Sequence, residues 1–581
     1  MESGRRRVPW RWVATGMVVS VLVCGGLMVW DAWHAYRASE DLSAHAVQAR
    51  DALLARDADG LRAEVGALQD AAHRLDGATD GPLWGASAVL PWIGDQVQPV
   101  QAIARASVAV ADDALGPLAE LADLDALAGP SIVDGRFDPY LLEPAREPLG
   151  RAAATLLEQS EVLGAVPLAG AVEILAEEYR EAADQVTEMA ALVDGAHRAA
   201  TLMPTMLGGQ EKRTYLVMVQ NNAEPRATGG ITGVVLELTV DDGRLASGRF
   251  VPARALVAAR DASAVDSITD EEEQAFTARM AVFPQDANFT PEFPRAAQLI
   301  STFWTRVHPG DVDGVLAVDP VALGYLLSGV APIEVDGVML DSQSLAATML
   351  NSAYSLFEDA EEQDEFFAEA ASAIFDAIIA GAPGISTGIE RGIDERRVLL
   401  WSAHDAEQKV LAGSAIAGTF FEDDAFGVFL NDGSGSKIGY YVDTAVDVAD
   451  RVCKDGAVVS QEVTVTLTHA FDGDVAELPD YVAGGTFVDA GEFHANLMVV
   501  PSPGMRVLSA REGGEAAWVA TSSLEGRSVV STRVVLLPGE EATYTFETDA
   551  IEGAVPAGDV VVTPGARTAV VERTEREAVG C

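Results

Sequence analysis

The residues best suited to chemistry lie between Arg213 and Gly233, in the run RTYLVMVQNNAEPRATGGITG. Tyr215 to Val219 is apolar on both alternating faces, the pattern of a strand buried inside a sheet. It stops at a polar knot that holds Asn221, Asn222, Glu224, Arg226 and Thr228 and closes on the pair Gly229–Gly230. Open α/β sheets build their sites where central strands end, and a glycine pair lets backbone N–H groups approach an anion. Arginines and amides converging with a few carboxylates suit a phosphate or pyrophosphate held with Mg²⁺. Arg226 and Arg254, the latter after the third predicted strand, are the candidate clamp. Asn221, Asn222, Thr228, Gly229, Gly230 and Lys437 are further candidate phosphate ligands, and Asp286 and Asp319 candidate Mg²⁺ ligands. The alternative is that the amides and carboxylates cap turns while the arginines pair with surface acids.

Other chemistries find no support in the spacing. No two of the eight histidines stand at H-x3-H spacing, so a zinc hydrolase of the familiar kinds is unsupported. There is no G-x4-G-K-[ST] loop and no G-x-G-x-x-G loop. Ser434-Gly435-Ser436-Lys437 fits S-x-x-K, but the S-D-N and K-T-G companions are missing.

Four segments carry a family resemblance: YLVMVQNNAEPRATGG, DANFTPEFP, DGVLAVDPVALGYLLSGVAPIEV and LNDGSGSKIGYY. In this order they resemble the hallmark segments of a bacterial family, the domain of unknown function 4012, over Arg213 to Tyr441. That family is found largely in actinobacteria and typically follows one N-terminal membrane helix. The resemblance implies a membrane-anchored extracytoplasmic protein and no settled activity. A more distant resemblance is to the LytR-CpsA-Psr phosphotransferases, which attach polyprenyl-pyrophosphate-linked glycopolymers to the cell wall using Mg²⁺. It implies that Arg226 with Thr228 is similar to their Arg-Ser-Asp-Thr segment, Arg254 to the arginine after their third strand, and Val330 to Val335 to their Gly-Gly-Val segment. This chain has Ala227 before Thr228, Ala255 after Arg254, and Ala331-Pro332 in place of the glycine pair.

Stepping outward, the chain must position these residues with several different kinds of element. Residues 31–205 are rich in Ala, Leu and Glu, with apolar positions such as Leu61, Val65, Leu68 and Ala72 at helical spacing. They predict a bundle of antiparallel helices, read as a stalk and alternatively as a partner-binding bundle. Residues 206–442 alternate strands with helices, an α/β domain. Asp241-Asp242-Gly243 is a tight-turn signal between strands, and Asp319-Pro320 an N-cap followed by proline at the first helical position. Residues 443–581 alternate Val463, Val465 and Leu467 with threonines and continue in short strands, a predicted β-sandwich of structural or adhesive character.

The N-terminus sets the expected compartment. Arg5, Arg6, Arg7 and Arg11 fall in a basic tail, residues 1–12, before the uncharged apolar stretch 13–30. Its length, with Trp10, Trp12 and Trp30 at its edges, predicts one transmembrane helix. The arginines predict an N-terminus inside and a body outside the cytoplasmic membrane; a cleaved signal peptide is the alternative. The remaining cysteines, Cys453 and Cys581, can then form one disulfide, or stay as two free thiols. The 89 acidic against 39 basic residues, a net charge of −50, exclude nucleic acid as a partner. Composition is otherwise that of a folded protein, 49% hydrophobic and 22% charged. Two readings of function follow. One is a non-catalytic envelope scaffold that binds proteins or glycans. The other is a protein binding a cell-wall glycopolymer or lipid-linked phosphate, in the extreme a Mg²⁺-dependent glycopolymer phosphotransferase.

Overall fold

The computed structural model describes residues 10–55, 57–121, 132–133, 135–257, 263–357, 359–453, 457–553, 555–556 and 558–578. For residues 10–29, and for 53, 54, 133 and 360, it describes the backbone alone. The chain divides into two compact units, residues 1–129 with 140–201, and residues 130–139 with 202–581.

The first unit is helical. Its long helices are Trp10–Leu54, Ala58–Thr79, Gly94–Ala109 and Arg146–Gly164, together with Glu173–Met206 up to the unit's end at residue 201. Alanine carries these helices because it loses no side-chain entropy in them and lets their axes approach closely. Asp57 starts the second helix by accepting the Gly60 N–H at 2.9 Å. The first two helices are antiparallel: Ala49 packs with Leu61, Val65 and Leu68, whereas Ala35 and Ala38 pack with Leu75 and Ala104. The last two are antiparallel as well, with Leu163 against Tyr179 and Leu156 against Ala190. The expected membrane span, 13–30, falls within the helix Trp10–Leu54, and apart from Trp30 its side chains lie outside those described. Among the described residues no helix is long and apolar enough to cross a membrane, so the transmembrane part of the expected fold is without structural support.

The second unit is built on a seven-stranded sheet of order β1-β2-β5-β4-β3-β6-β9. Its strands are β1 (Ile132–Val133), β2 (Arg136–Phe137), β3 (Arg213–Arg226), β4 (Gly229–Asp241), β5 (Arg244–Pro252), β6 (Gly314–Val318) and β9 (Leu399–Ser402). A small hairpin, β7 (Ile333–Val335) and β8 (Val338–Leu340), stands apart. Only β3 and β6 pair in parallel; the other neighbours are antiparallel. Both faces of β3 are covered, which is why its sequence is apolar at successive positions. Leu216 and Met218 face a core with the helix Phe293–Val307, and Tyr215 and Val217 face Leu202, Met206, Ala322 and Leu411. The β4–β5 turn is as expected: Asp242 and Gly243 both have positive φ, 47° and 75°, as a two-residue hairpin of matching twist needs.

Two further sheets enclose a second core. One has the order β16-β17-β13-β10-β19, from β10 (Phe426–Asp432), β13 (Phe493–Val500), β16 (Ala520–Leu524), β17 (Arg527–Leu536) and β19 (Val560–Val562). The other has the order β15-β14-β18-β12-β11-β20. It contains β11 (Val442–Val452), β12 (Val458–His469), β14 (Met505–Glu512), β15 (Glu515–Ala516), β18 (Glu541–Ala550) and β20 (Val570–Glu577). Phe426, Val428 and Leu430 of β10 pack there with Val446, Val463, Val465 and Phe546 of the opposite sheet. The intervening Phe429, with Met498 and Val500 of β13, turns the other way into the core under the seven-stranded sheet. The boundary expected at 442 therefore falls inside one unit, after a strand that already belongs to the sandwich. β10 is buried along its whole length because each of its faces meets a different core.

Cys453 is disulfide-bonded. Its expected partner, Cys581, lies outside the described residues. β20 runs parallel to β11 and places Glu577 opposite Val452.

Candidate functional site

The knot sits where the parallel strands β3 and β6 end. β3 and β4 close through Ala227–Thr228, with Arg226 opposite Gly229 and Pro225 opposite Gly230. The register shifts between Asn221 and Pro225, so Asn222, Ala223 and Glu224 bulge from the ladder. A bulge re-aims side chains, and here it sends Asn222 and Glu224 to different partners. Asn222 Nδ2 donates to Asp319 Oδ2 at 3.0 Å and to the Pro564 carbonyl at 2.8 Å. Glu224 pairs with the Lys437 ammonium. Asn221 Nδ2 donates to the Tyr354 hydroxyl at 3.0 Å, while its Oδ1 accepts the Ala223 N–H.

Strand packing alone requires the glycine pair. A Cβ at Gly230 would lie 2.1 Å from the Asn221 carbonyl carbon, and one at Gly229 2.3 Å from Gln220 Oε1. Gly229 also has φ of 136°.

Each cation of the knot is already matched by an internal acid. Arg226, 5% exposed, donates to Asp286 Oδ1 at 3.3 Å and to the Pro225 carbonyl at 3.0 Å, with its guanidinium over the Phe289 ring. The second oxygen of Asp286 accepts from Arg279 Nε at 2.9 Å. Burial disfavours the Lys437 charge, but Glu224, joined by the Tyr354 and Tyr481 hydroxyls, prevails and holds the ammonium above its ordinary pKa. Asp432, beside Arg226, is pushed up to about 6, first by burial and then by the Glu224 charge. Asn431 ties the knot to β10: its Oδ1 accepts the Ala227 N–H at 3.1 Å and its Nδ2 donates to the Phe289 carbonyl at 3.0 Å.

Asp319 caps its helix as expected, its Oδ1 accepting the Ala322 N–H at 2.7 Å. Its Oδ2 takes 2.8 Å from Arg397, which also donates to Glu395 at 2.7 Å and to the Gly565 carbonyl at 3.0 Å. Asp286 and Asp319 thus face arginines in separate parts of the knot. Among the described residues, no group of three or more His, Cys, Asp or Glu side chains is placed to hold a metal ion.

Nine of the expected residues therefore lie in the knot or contact it: Asn221, Asn222, Arg226, Thr228, Gly229, Gly230, Asp286, Asp319 and Lys437. Arg254 stays outside it, on the surface, paired with Asp364 at 2.7 Å. Sequence reading missed Arg397 and Tyr354, which come from distant segments, whereas Asn431 and Asp432 belong to the polar cluster of LNDGSGSKIGYY that it singled out. The network also buries Arg226 Nε, Thr228 Oγ1, Asn222 Oδ1 and Asp432 Oδ1 without a protein partner.

A second charged cluster lies at the opposite end of the same strands. Arg213 NH1 donates to Asp313 at 3.0 Å and NH2 to Glu407 at 3.2 Å, and His404 Nε2 lies 2.8 Å from Asp313. Burial works against the Asp313 charge, but the Thr214 N–H, His404 and Arg213 outweigh it and leave the carboxyl below its ordinary range. Ser402 Oγ donates to Glu407 at 2.7 Å rather than to the His404 ring, so these residues form a clamp between β3, β6 and β9, not a nucleophile–base pair. The scattered histidines gave no sequence signal for it.

Residues 210–354 match the family described as "Protein of unknown function (DUF4012)". The match ends before LNDGSGSKIGYY, short of the stretch the resemblance was expected to cover. No curated protein and no solved structure matches the chain. A likeness to the LytR-CpsA-Psr phosphotransferases is not shown.

Proposed function

We propose that this protein, whose residues 210–354 belong to the DUF4012 family, is a non-catalytic scaffold of the cell envelope. In this reading the helix over 13–30 anchors it in the cytoplasmic membrane with its N-terminus inside. The helical unit is a stalk, and the second unit is an extracytoplasmic module that meets protein or glycan partners. One observation carries the proposal. The residues whose types suit phosphate chemistry spend their charges on each other: Arg226 on Asp286, Lys437 on Glu224, Arg397 on Asp319. A phosphate clamp would need Arg226 and Arg254 on one cavity, whereas Arg254 is engaged on the surface with Asp364. The knot is then a joint between the seven-stranded sheet and the sandwich.

The unpartnered Thr228 Oγ1 and Arg226 Nε give the second reading, a bound lipid-linked or glycopolymer phosphate, something specific to stand on. Calorimetric titration with a short polyprenyl pyrophosphate in Mg²⁺ separates the two. The scaffold reading expects no saturable heat from the full chain. Saturable binding that Arg226→Ala abolishes, in a variant that keeps its fold by circular dichroism, would overturn it and call for a transferase assay.

A further inference from the structure

The first unit ends in two loops whose composition departs from the rest of the chain. Gly85–Gly94 (GASAVLPWIG) and Gly164–Val172 (GAVPLAGAV) hold no charged residue, in a protein that is 22% charged. Gln96 holds them together: its Nε2 donates to the Trp92 carbonyl at 3.2 Å and the Gly170 carbonyl at 2.8 Å, and its Oε1 accepts the Val172 N–H at 2.9 Å. Glycine is required at the base, because a Cβ at Gly94 would lie 2.4 Å from the Ala88 carbonyl oxygen. Val166 and Leu168 pack inward, but the rest of this end turns apolar side chains outward. Val89, Leu90, Trp92 and Val172, with Ile174 at the start of the helix that follows, are all exposed, Trp92 to 66%. Trp92 also has φ of 65°, a left-handed backbone that a bulky residue rarely adopts.

The location of this end follows from helix register. Ala35 and Ala38 meet Leu75, and Gln101 Nε2 donates to the Thr79 carbonyl at 2.7 Å. From Gln101 the chain continues outward to Gly94, a further rise of roughly 10 Å at 1.5 Å per residue. Both loops therefore lie beside the stretch of the first helix where the apolar run 13–30 gives way to Trp30, Trp33 and Tyr36, all exposed. Indole rings favour the boundary between headgroups and acyl chains.

We propose that this end of the bundle is a foot resting in the outer interface of the bilayer, with Leu90 and Trp92 inserted among the lipids. The proposal rests on the anchored reading of 13–30. Asp80, Asp95 and Glu173 flank the loops and hold them at headgroup depth, since carboxylates do not follow into hydrocarbon. The loops carry no basic residue, so the partner is the apolar interface of neutral lipid, and the contact is insensitive to salt.

The test uses the full chain in phosphatidylcholine vesicles. One thiol-reactive environment-sensitive fluorophore is placed at Cys24, or, in Cys24→Ser, at Trp92→Cys or at Leu192→Cys. Leu192 is equally exposed on the helix Glu173–Met206. The expected result is blue-shifted emission at 92, quenched by nitroxide lipids and shielded from aqueous iodide, with the reverse at 192. If 92 is as open to iodide as 192 while the label at 24 is quenched by lipid, the foot is refuted and the anchor survives. If the label at 24 is open to iodide and the protein washes off the vesicles, the anchor and the foot fall together.

Discussion

Asp286 lies between two arginines of very different exposure, and this makes its removal the more damaging half of the pair. In Arg226→Ala the carboxylate keeps Arg279, whereas Asp286→Ala strands the buried Arg226 with carbonyl partners only. Breaking a buried pair costs about 3–5 kcal/mol, so denaturant unfolding should show Asp286→Ala near that range and Arg226→Ala clearly below it. The combined replacement Arg226→Met with Asp286→Leu should lose less than Asp286→Ala alone. Glu292 offers a pH test. Burial raises its carboxyl to about 7 from 4.5, against the Phe420 and Phe421 N–H groups that it accepts. The fold therefore favours the protonated form, and this contribution is present below pH 4.5 and lost as pH rises through about 7. Glu292→Gln keeps the acceptor without the charge. Its stability relative to wild type should climb between pH 5 and pH 8, by up to about 3 kcal/mol, from thermal unfolding at each pH. At this scale the sequence told much: Asn222 and Asp319 were placed at strand ends, and they meet. Arg397 was not legible, because nothing local marks an arginine whose partner is far along the chain.

The hairpin β3–β4 shows how one short motif can answer to a packing constraint within its own element. Gly229 and Gly230 signalled close backbone approach, and the approach is real, but the neighbour is the Asn221 and Gln220 of the same hairpin. Gly230→Ala should prevent the hairpin from closing and be recovered misfolded or strongly destabilised. Gly233→Ala, whose added methyl finds its nearest neighbour at 3.8 Å, should be accepted with a small change in thermal midpoint. The β4–β5 turn was legible because Asp-Gly has few other uses between apolar runs. The edge strands β1 and β2 were not: two residues each is too short for any alternation, and they arrive from a break between helices.

For the whole molecule, the predicted partition into helices followed by sheets agrees with the architecture, whereas the line between α/β domain and sandwich does not mark a separable part. β10 has one face in each core, so each of those two cores is incomplete without it. The second unit should unfold in one cooperative transition, with tryptophan fluorescence and far-ultraviolet circular dichroism coincident for the fragment that contains it. A fragment of residues 443–581, cut to the sequence-derived boundary, should remain unfolded. Alternation within a strand reveals that two faces differ; it does not reveal that both are covered, as those of β10 are.

Both sandwich sheets take in a strand from late in the chain: β19 lies parallel to β10, and β20 parallel to β11. The knot likewise receives the carbonyls of Pro564 and Gly565. A ribosome delivers these pieces after nearly everything they complete. Throughout synthesis β10 and β11 therefore wait with open edges, which are templates for pairing between chains. Those edges close only once residue 577 has been added.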